Sequence, residues 1–141
     1  MRKNILSILT PVVISLIISG CGSAITDVRL YEEFSLAPGQ TVTIGTEDLE
    51  IRFLEVAEDS RCPLDVTCIW EGRATAIVEI AIGGGPQRLE LSEPGLTDAP
   101  ANIVFQNYRF IYEVEPYPRV DRQIAPGEYR LVMLVTMSGD N

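Results

Sequence analysis

Residues 75–91 read Thr-Ala-Ile-Val-Glu-Ile-Ala-Ile-Gly-Gly-Gly-Pro-Gln-Arg-Leu-Glu-Leu, and the fold class follows from their pattern. Ala76, Val78, Ile80 and Ile82 share one side of an extended chain, because successive side chains of a strand point to opposite faces. Gly83-Gly84-Gly85-Pro86 breaks the run, and Leu89 and Leu91 resume it, which predicts a hairpin. The same period recurs on both sides. Upstream, Phe34 and Leu36 precede the turn dipeptide Pro38-Gly39, and Val42 and Ile44 alternate with threonines. Leu49, Ile51 and Phe53 then alternate with Glu50 and Arg52 in a run that continues through Val56. Downstream, Tyr108, Phe110, Tyr112 and Val114 alternate, and Pro116, Pro118 and Pro126-Gly127 bound a connection. Tyr129, Leu131, Met133, Val135 and Met137 form the last strand.

Val132 and Leu134 make the other face of that last strand apolar too, which places it inside a sheet rather than at an edge. No stretch carries a useful 3.6-residue period, and parallel crossovers would need helices. We therefore expect an all-β domain over residues 28–138. Its architecture would be an antiparallel, immunoglobulin-like β-sandwich of seven or eight strands, with a small β-barrel as the alternative. Ser92 to Asn102 (SEPGLTDAPAN) reads as the longest loop.

Ahead of this domain, Arg2 and Lys3 precede a 14-residue, mostly apolar run from Ile5 to Ile18. As a helix it would span about 21 Å, short of a hydrocarbon core of roughly 30 Å, and Pro11 interrupts it. That describes a signal peptide better than a membrane span. The sequence Ile18-Ser19-Gly20-Cys21 resembles the lipobox of bacterial lipoprotein precursors. The resemblance implies cleavage after residue 20, a diacylglyceryl thioether on Cys21, and a short anchor and tether over residues 21–27. Two or three acyl chains, at about 0.8 kcal/mol per buried CH₂, would hold the domain to a membrane on the extracytoplasmic side. Gly22 in place of Asp implies the outer membrane where a cell has two.

The whole chain carries 11 basic and 20 acidic side chains and no histidine, for a net charge of −9. Loss of Arg2 and Lys3 takes it to −11 and removes the one lysine. This composition excludes a histidine base, a Ser-His-Asp triad, histidine metal ligands and a Schiff-base lysine. An acidic surface also repels phosphate backbones, so nucleic acid is not an expected partner. Acid–base chemistry would fall to the pairs Glu58–Asp59, Glu47–Asp48 and Asp65–Glu71. Neighbours along a strand face opposite ways, which argues against shared chemistry. No calcium-loop spacing or phosphate cradle is present. The expectation is a protein without catalytic residues, cofactor or metal.

With Cys21 assigned to lipid, Cys62 and Cys68 remain as an even pair in an oxidising compartment. A disulfide closing that loop would contribute about 2.4 kcal/mol through the unfolded chain. The competing metal site would have only two thiolates. Residues 59–72 (DSRCPLDVTCIWEG) resemble the DSRCP-x4-C-x-W-x-G signature of small exported bacterial proteins, often lipoproteins, to which no activity is attached.

Within this stretch Arg61 can lie along Trp70 or fork onto Asp59 or Glu58, and Gly72 suits a positive φ or a close backbone approach. Two readings stand. One is a structural corner in which Trp70 plugs the core. The other is an exposed loop offering Arg61 and Trp70 to a partner. The functional expectation is a lipid-anchored envelope module that works by contact with an envelope protein. The alternatives are an inhibitor of an extracytoplasmic protease, inserting the loops at 62–70 and 92–102, and a lipoprotein that binds a small ligand or cation.

Overall fold

A computed structural model describes residues 25–139. The expected signal peptide and Cys21, the expected site of lipidation, lie outside the described residues. Nine strands follow in chain order: β1 (Ile25–Asp27), β2 (Glu33–Leu36), β3 (Thr41–Ile44), β4 (Leu49–Asp59), β5 (Arg73–Ile82), β6 (Gln87–Pro94), β7 (Ala101–Phe105), β8 (Tyr108–Glu115) and β9 (Arg130–Met137). The one helical piece among the described residues is a 3₁₀ turn at Pro126–Glu128. One sheet has the order β1-β3-β4-β5-β6 and the other β2-β9-β8-β7. All pairings are antiparallel except β1 with β3. The two sheets form an open β-sandwich and do not close into a barrel. β9 lies between β2 and β8, so its two apolar faces are accommodated in the interior of a sheet.

The core is the set of inward faces. Leu49, Ile51 and Phe53 of β4 meet Ile82, Ile80 and Val78 of β5. Phe110, Tyr112 and Val114 of β8 and Leu131, Met133 and Val135 of β9 supply the facing sheet. Burying the branched and aromatic side chains of both sheets is the main favourable contribution to folding.

The second half of β4 breaks simple alternation, which would turn Glu55 and Ala57 inward after Phe53. Register shifts between Phe53 and Glu55, and between Val56 and Glu58, each insert one extra residue. Val56 therefore pairs with Ala76 and Asp59 with Ala74, on the side of β5 that faces the core, while Glu55 and Glu58 stay in solvent. Because two insertions restore the original parity, the ionisable Asp59 still faces the end of the sandwich.

Three expectations need correction. The described residues form nine strands where seven or eight were expected, because β1 and β7 are strands too. Ile25–Asp27, read as tether, pair in parallel with Thr41–Thr43. The long loop shrinks at both ends, because Ser92–Pro94 complete β6 and Ala101–Asn102 begin β7. β7 was hidden because its hairpin to β8 turns through Gln106 at φ +53°, without the Asn-Gly or Asp-Gly pair that marks such turns.

The bulges give a sharp test. Phe53→Ala should cost about 3–5 kcal/mol in urea denaturation. Glu55→Ala, two residues along, should stay within about 0.5 kcal/mol, because the side chain is solvated and its ion pair with Arg88 is long and exposed. A large gain on removing Glu55 would mean that it faces the core.

Candidate functional site

Just past β4 the chain turns Arg61 into the end of the sandwich, where its side chain has no solvent exposure. Nε–H and Nη2–H donate to the two oxygens of Asp59, each at 2.8 Å, a bidentate fork. Nη1–H donates to the Val114 carbonyl at 2.6 Å and to Glu93 at 3.4 Å, and Nη2–H also reaches the Pro116 carbonyl at 3.1 Å. The guanidinium lies 4.7 Å from the centre of the Tyr117 ring. Glu93 in turn accepts the Val114 N–H at 2.7 Å, and the Tyr129 hydroxyl donates to Asp59 at 3.2 Å. One cation thus joins β4 and β6 of one sheet to β8 of the other, and Tyr129, just before β9, joins the cluster through Asp59.

Burial opposes the Arg61 charge, but hydrogen bonding to Asp59 and the charges of Asp59 and Glu93 outweigh it and hold the pKa above its ordinary value. Burial raises Glu93 despite the Val114 amide and Arg61. Burial, then Asp59, also raises Tyr129.

Beyond Arg61 the backbone continues the β4–β5 ladder. Ser60 N–H donates to Arg73 O at 2.8 Å, and Cys62 N–H to Glu71 O at 2.9 Å. Cys62 and Cys68 are joined by a disulfide with Cα atoms 5.9 Å apart. Gly72 has φ +69°, and a Cβ there would run into the Ser60 carbonyl. Gly95 packs against the Glu71 carbonyl in the same way and donates to Gly72 O at 3.0 Å. Leu64 N–H donates to Pro118 O at 3.2 Å, tying the loop to the segment after β8.

Trp70 is not the core plug expected of a structural corner, since it is 82% exposed, beside Ile69 at 93%. Nor is Arg61 offered to a partner, because it is buried against Tyr117 and Asp59 rather than laid along Trp70. Asp59, Arg61 and Gly72 build the corner, and Trp70 protrudes from it. Glu93, Tyr117 and Tyr129 complete the cluster and were not singled out in the sequence. Glu93 lies 32 positions from Arg61, and no local motif marks it.

Beside the loop a cleft of about 790 Å³ opens between the 116–122 segment, the ends of β6 and β8, and Glu128. Tyr117, Arg119, Arg122 and Arg130 share its walls with Glu93, Glu113 and Glu115. Arg122 pairs with Glu128 at 2.8 Å, and Arg119 with Asp65 at 3.4 Å. Among the described residues no group of three or more Asp, Glu or Cys is placed to hold a metal ion. Both Asp59 oxygens and the Glu93 oxygen nearest Arg61 already accept hydrogen bonds. This commits them to structure more than to proton transfer. Comparison with known proteins gives no match, whether to a family model, a curated protein or a solved structure.

Arg61→Met should cost about 3–5 kcal/mol, because it strands two buried carboxylates. Gly72→Ala should cost more than about 1 kcal/mol from strain alone. Denaturant melts check both. Because the folded state holds the Glu93 proton more tightly than the unfolded chain does, that group's contribution grows as pH falls from neutral toward the ordinary glutamate range. It is lost as pH rises. The stability difference between wild type and Glu93→Gln should therefore shift in favour of wild type on acidification. A difference independent of pH would show that Glu93 ionises normally.

Proposed function

We propose that the protein is a lipid-anchored, non-catalytic contact module of a bacterial cell envelope, held outside the cytosol through Cys21. One observation carries the contact reading. Leu64, Val66, Ile69 and Trp70 are all exposed on a loop that a disulfide and a buried ion cluster hold in place. A loop fixed in this way loses little entropy on docking, and clustered exposed apolar side chains mark interaction surfaces. The lipobox resemblance of residues 18–21 and the 59–72 signature support the exported, lipidated part of the reading. The cleft is where we place the contact with an envelope protein, because its exposed arginines and glutamates offer charged partners for a complementary surface.

A second reading, a small-ligand lipoprotein, draws on the same cleft. Its volume lies in the range of about 300–1,000 Å³ typical of ligand pockets. For a protease inhibitor, the second of the two expected inserting loops is shortened to residues 95–100, since residues 92–94 and 101–102 are strand.

Mass spectrometry of protein purified from its native membrane should find Cys21 as the modified N-terminus. A photo-crosslinking residue in place of the exposed Arg122 should then capture one specific envelope protein from intact cells. Uniform, unspecific capture together with a thermal shift by a small molecule would favour the ligand reading.

A further inference from the structure

The chemistry of the disulfide-loop tip narrows what the exposed apolar side chains there would contact. Ile69 and Trp70 are the most exposed large apolar side chains of the described chain. Residues 63–70 contain one charged side chain, Asp65, and it is paired with Arg119. Glu58, Glu71 and Arg73 stand beside Trp70 at its base, but the tip itself adds no unpaired charge to a body of strong negative charge. Such a body would be repelled by an acidic lipid surface at most points. An uncharged tip bearing Trp is the part suited to a membrane interface, where an amphipathic indole ring is favoured.

The direction of β1 adds an independent constraint. Ile25 pairs with Thr41, which pairs with Arg52, and Asp27 pairs with Thr43, which pairs with Glu50. β4 runs from Glu50 toward Asp59 and the disulfide loop, so β1 runs away from that end and its first residue lies nearest to it. Ile25 is four positions from Cys21, and four fully extended steps reach about 13 Å. Arg52 and Asp59 pair with Glu79 and Ala74, five positions apart on β5, a rise of about 17 Å. A lipid on Cys21 therefore could not hold the disulfide end clear of the surface along this direction.

We infer that the Ile69–Trp70 tip of the Cys62–Cys68 loop inserts into the lipid interface and seats the domain end-on at the membrane. This inference rests on the lipid anchor at Cys21 proposed above. A tether this short keeps the tip at high local concentration, so weak intrinsic lipid affinity is enough for seating.

Trp70 is the one tryptophan of the chain, so intrinsic fluorescence reads the tip alone. The test uses the native lipidated protein in phosphatidylcholine vesicles with a minor fraction of phosphatidylglycerol, made with plain or brominated acyl chains. We expect blue-shifted emission and a loss of intensity with the brominated lipid. Ile69→Glu, at a position that makes no core contact, should melt like wild type, stay vesicle-bound through its lipid, and lose both effects. Equal emission in plain and brominated vesicles, with Cys21 lipidated and the protein co-floating, would overturn the inference and leave the anchor standing. Protection of Trp70 only after envelope proteins are added would overturn it in favour of a protein partner. An unmodified Cys21 in protein that does not float would sink the anchor and the inference together.

Discussion

The buried Arg61 guanidinium is the interaction on which this end of the molecule depends. Two sheets packed face to face leave their ends to be closed by loops, where apolar area is scarce and backbone carbonyls emerge. Here a single planar cation closes the gap. It forks onto Asp59, donates to the carbonyls of Val114 and Pro116, and lies against the Tyr117 ring. Replacing such a cluster by apolar groups is often neutral or stabilising in other proteins, so its presence is weak evidence for stability as such. What it contributes here is position. Four elements from both sheets are held to one point.

That position is passed outward along the chain. Arg61 is next to Cys62, so the buried guanidinium sets where the disulfide loop begins, and the Ser60–Arg73 and Cys62–Glu71 hydrogen bonds set where it returns. Gly72 and Gly95 permit backbone approaches that a side chain would prevent. The apolar tip consequently projects from a rigid base beside the cleft, and β1 begins about 17 Å short of that end. Rigidity and exposure come from one set of contacts, and the reach to the proposed anchor comes separately from the direction of β1.

Much of the fold was legible because alternation in β4, β5, β8 and β9 is nearly free of exceptions. β7 was not, since Asn102 and Val104 occupy its outward positions between two short turns and no favoured turn pair announces its hairpin. The bulges of β4 were also invisible. Two inserted residues restore the original parity, so the ends of the strand read as regular while its middle does not. In the site, the residues of the 59–72 stretch drew attention through their unusual types, and the fork of Arg61 onto Asp59 is a local, two-residue relation. Glu93, Tyr117 and Tyr129 join through topology alone. Trp70 misled because a large aromatic ring in a short disulfide loop has the same composition whether it points in or out. Which way it points depends on Arg61 and Tyr117 having already filled the space inside.

The most direct measurement of the central interaction is NMR of the Arg61 side chain in ¹⁵N-labelled protein. We expect resolved Nε–H and Nη–H signals with slow solvent exchange and hindered rotation about the terminal C–N bonds, because each of the five N–H groups has an acceptor on Asp59, Glu93, Val114 or Pro116. A single averaged, rapidly exchanging Nη signal like that of a surface arginine would contradict the clamp and, with it, the fixed placement of the loop.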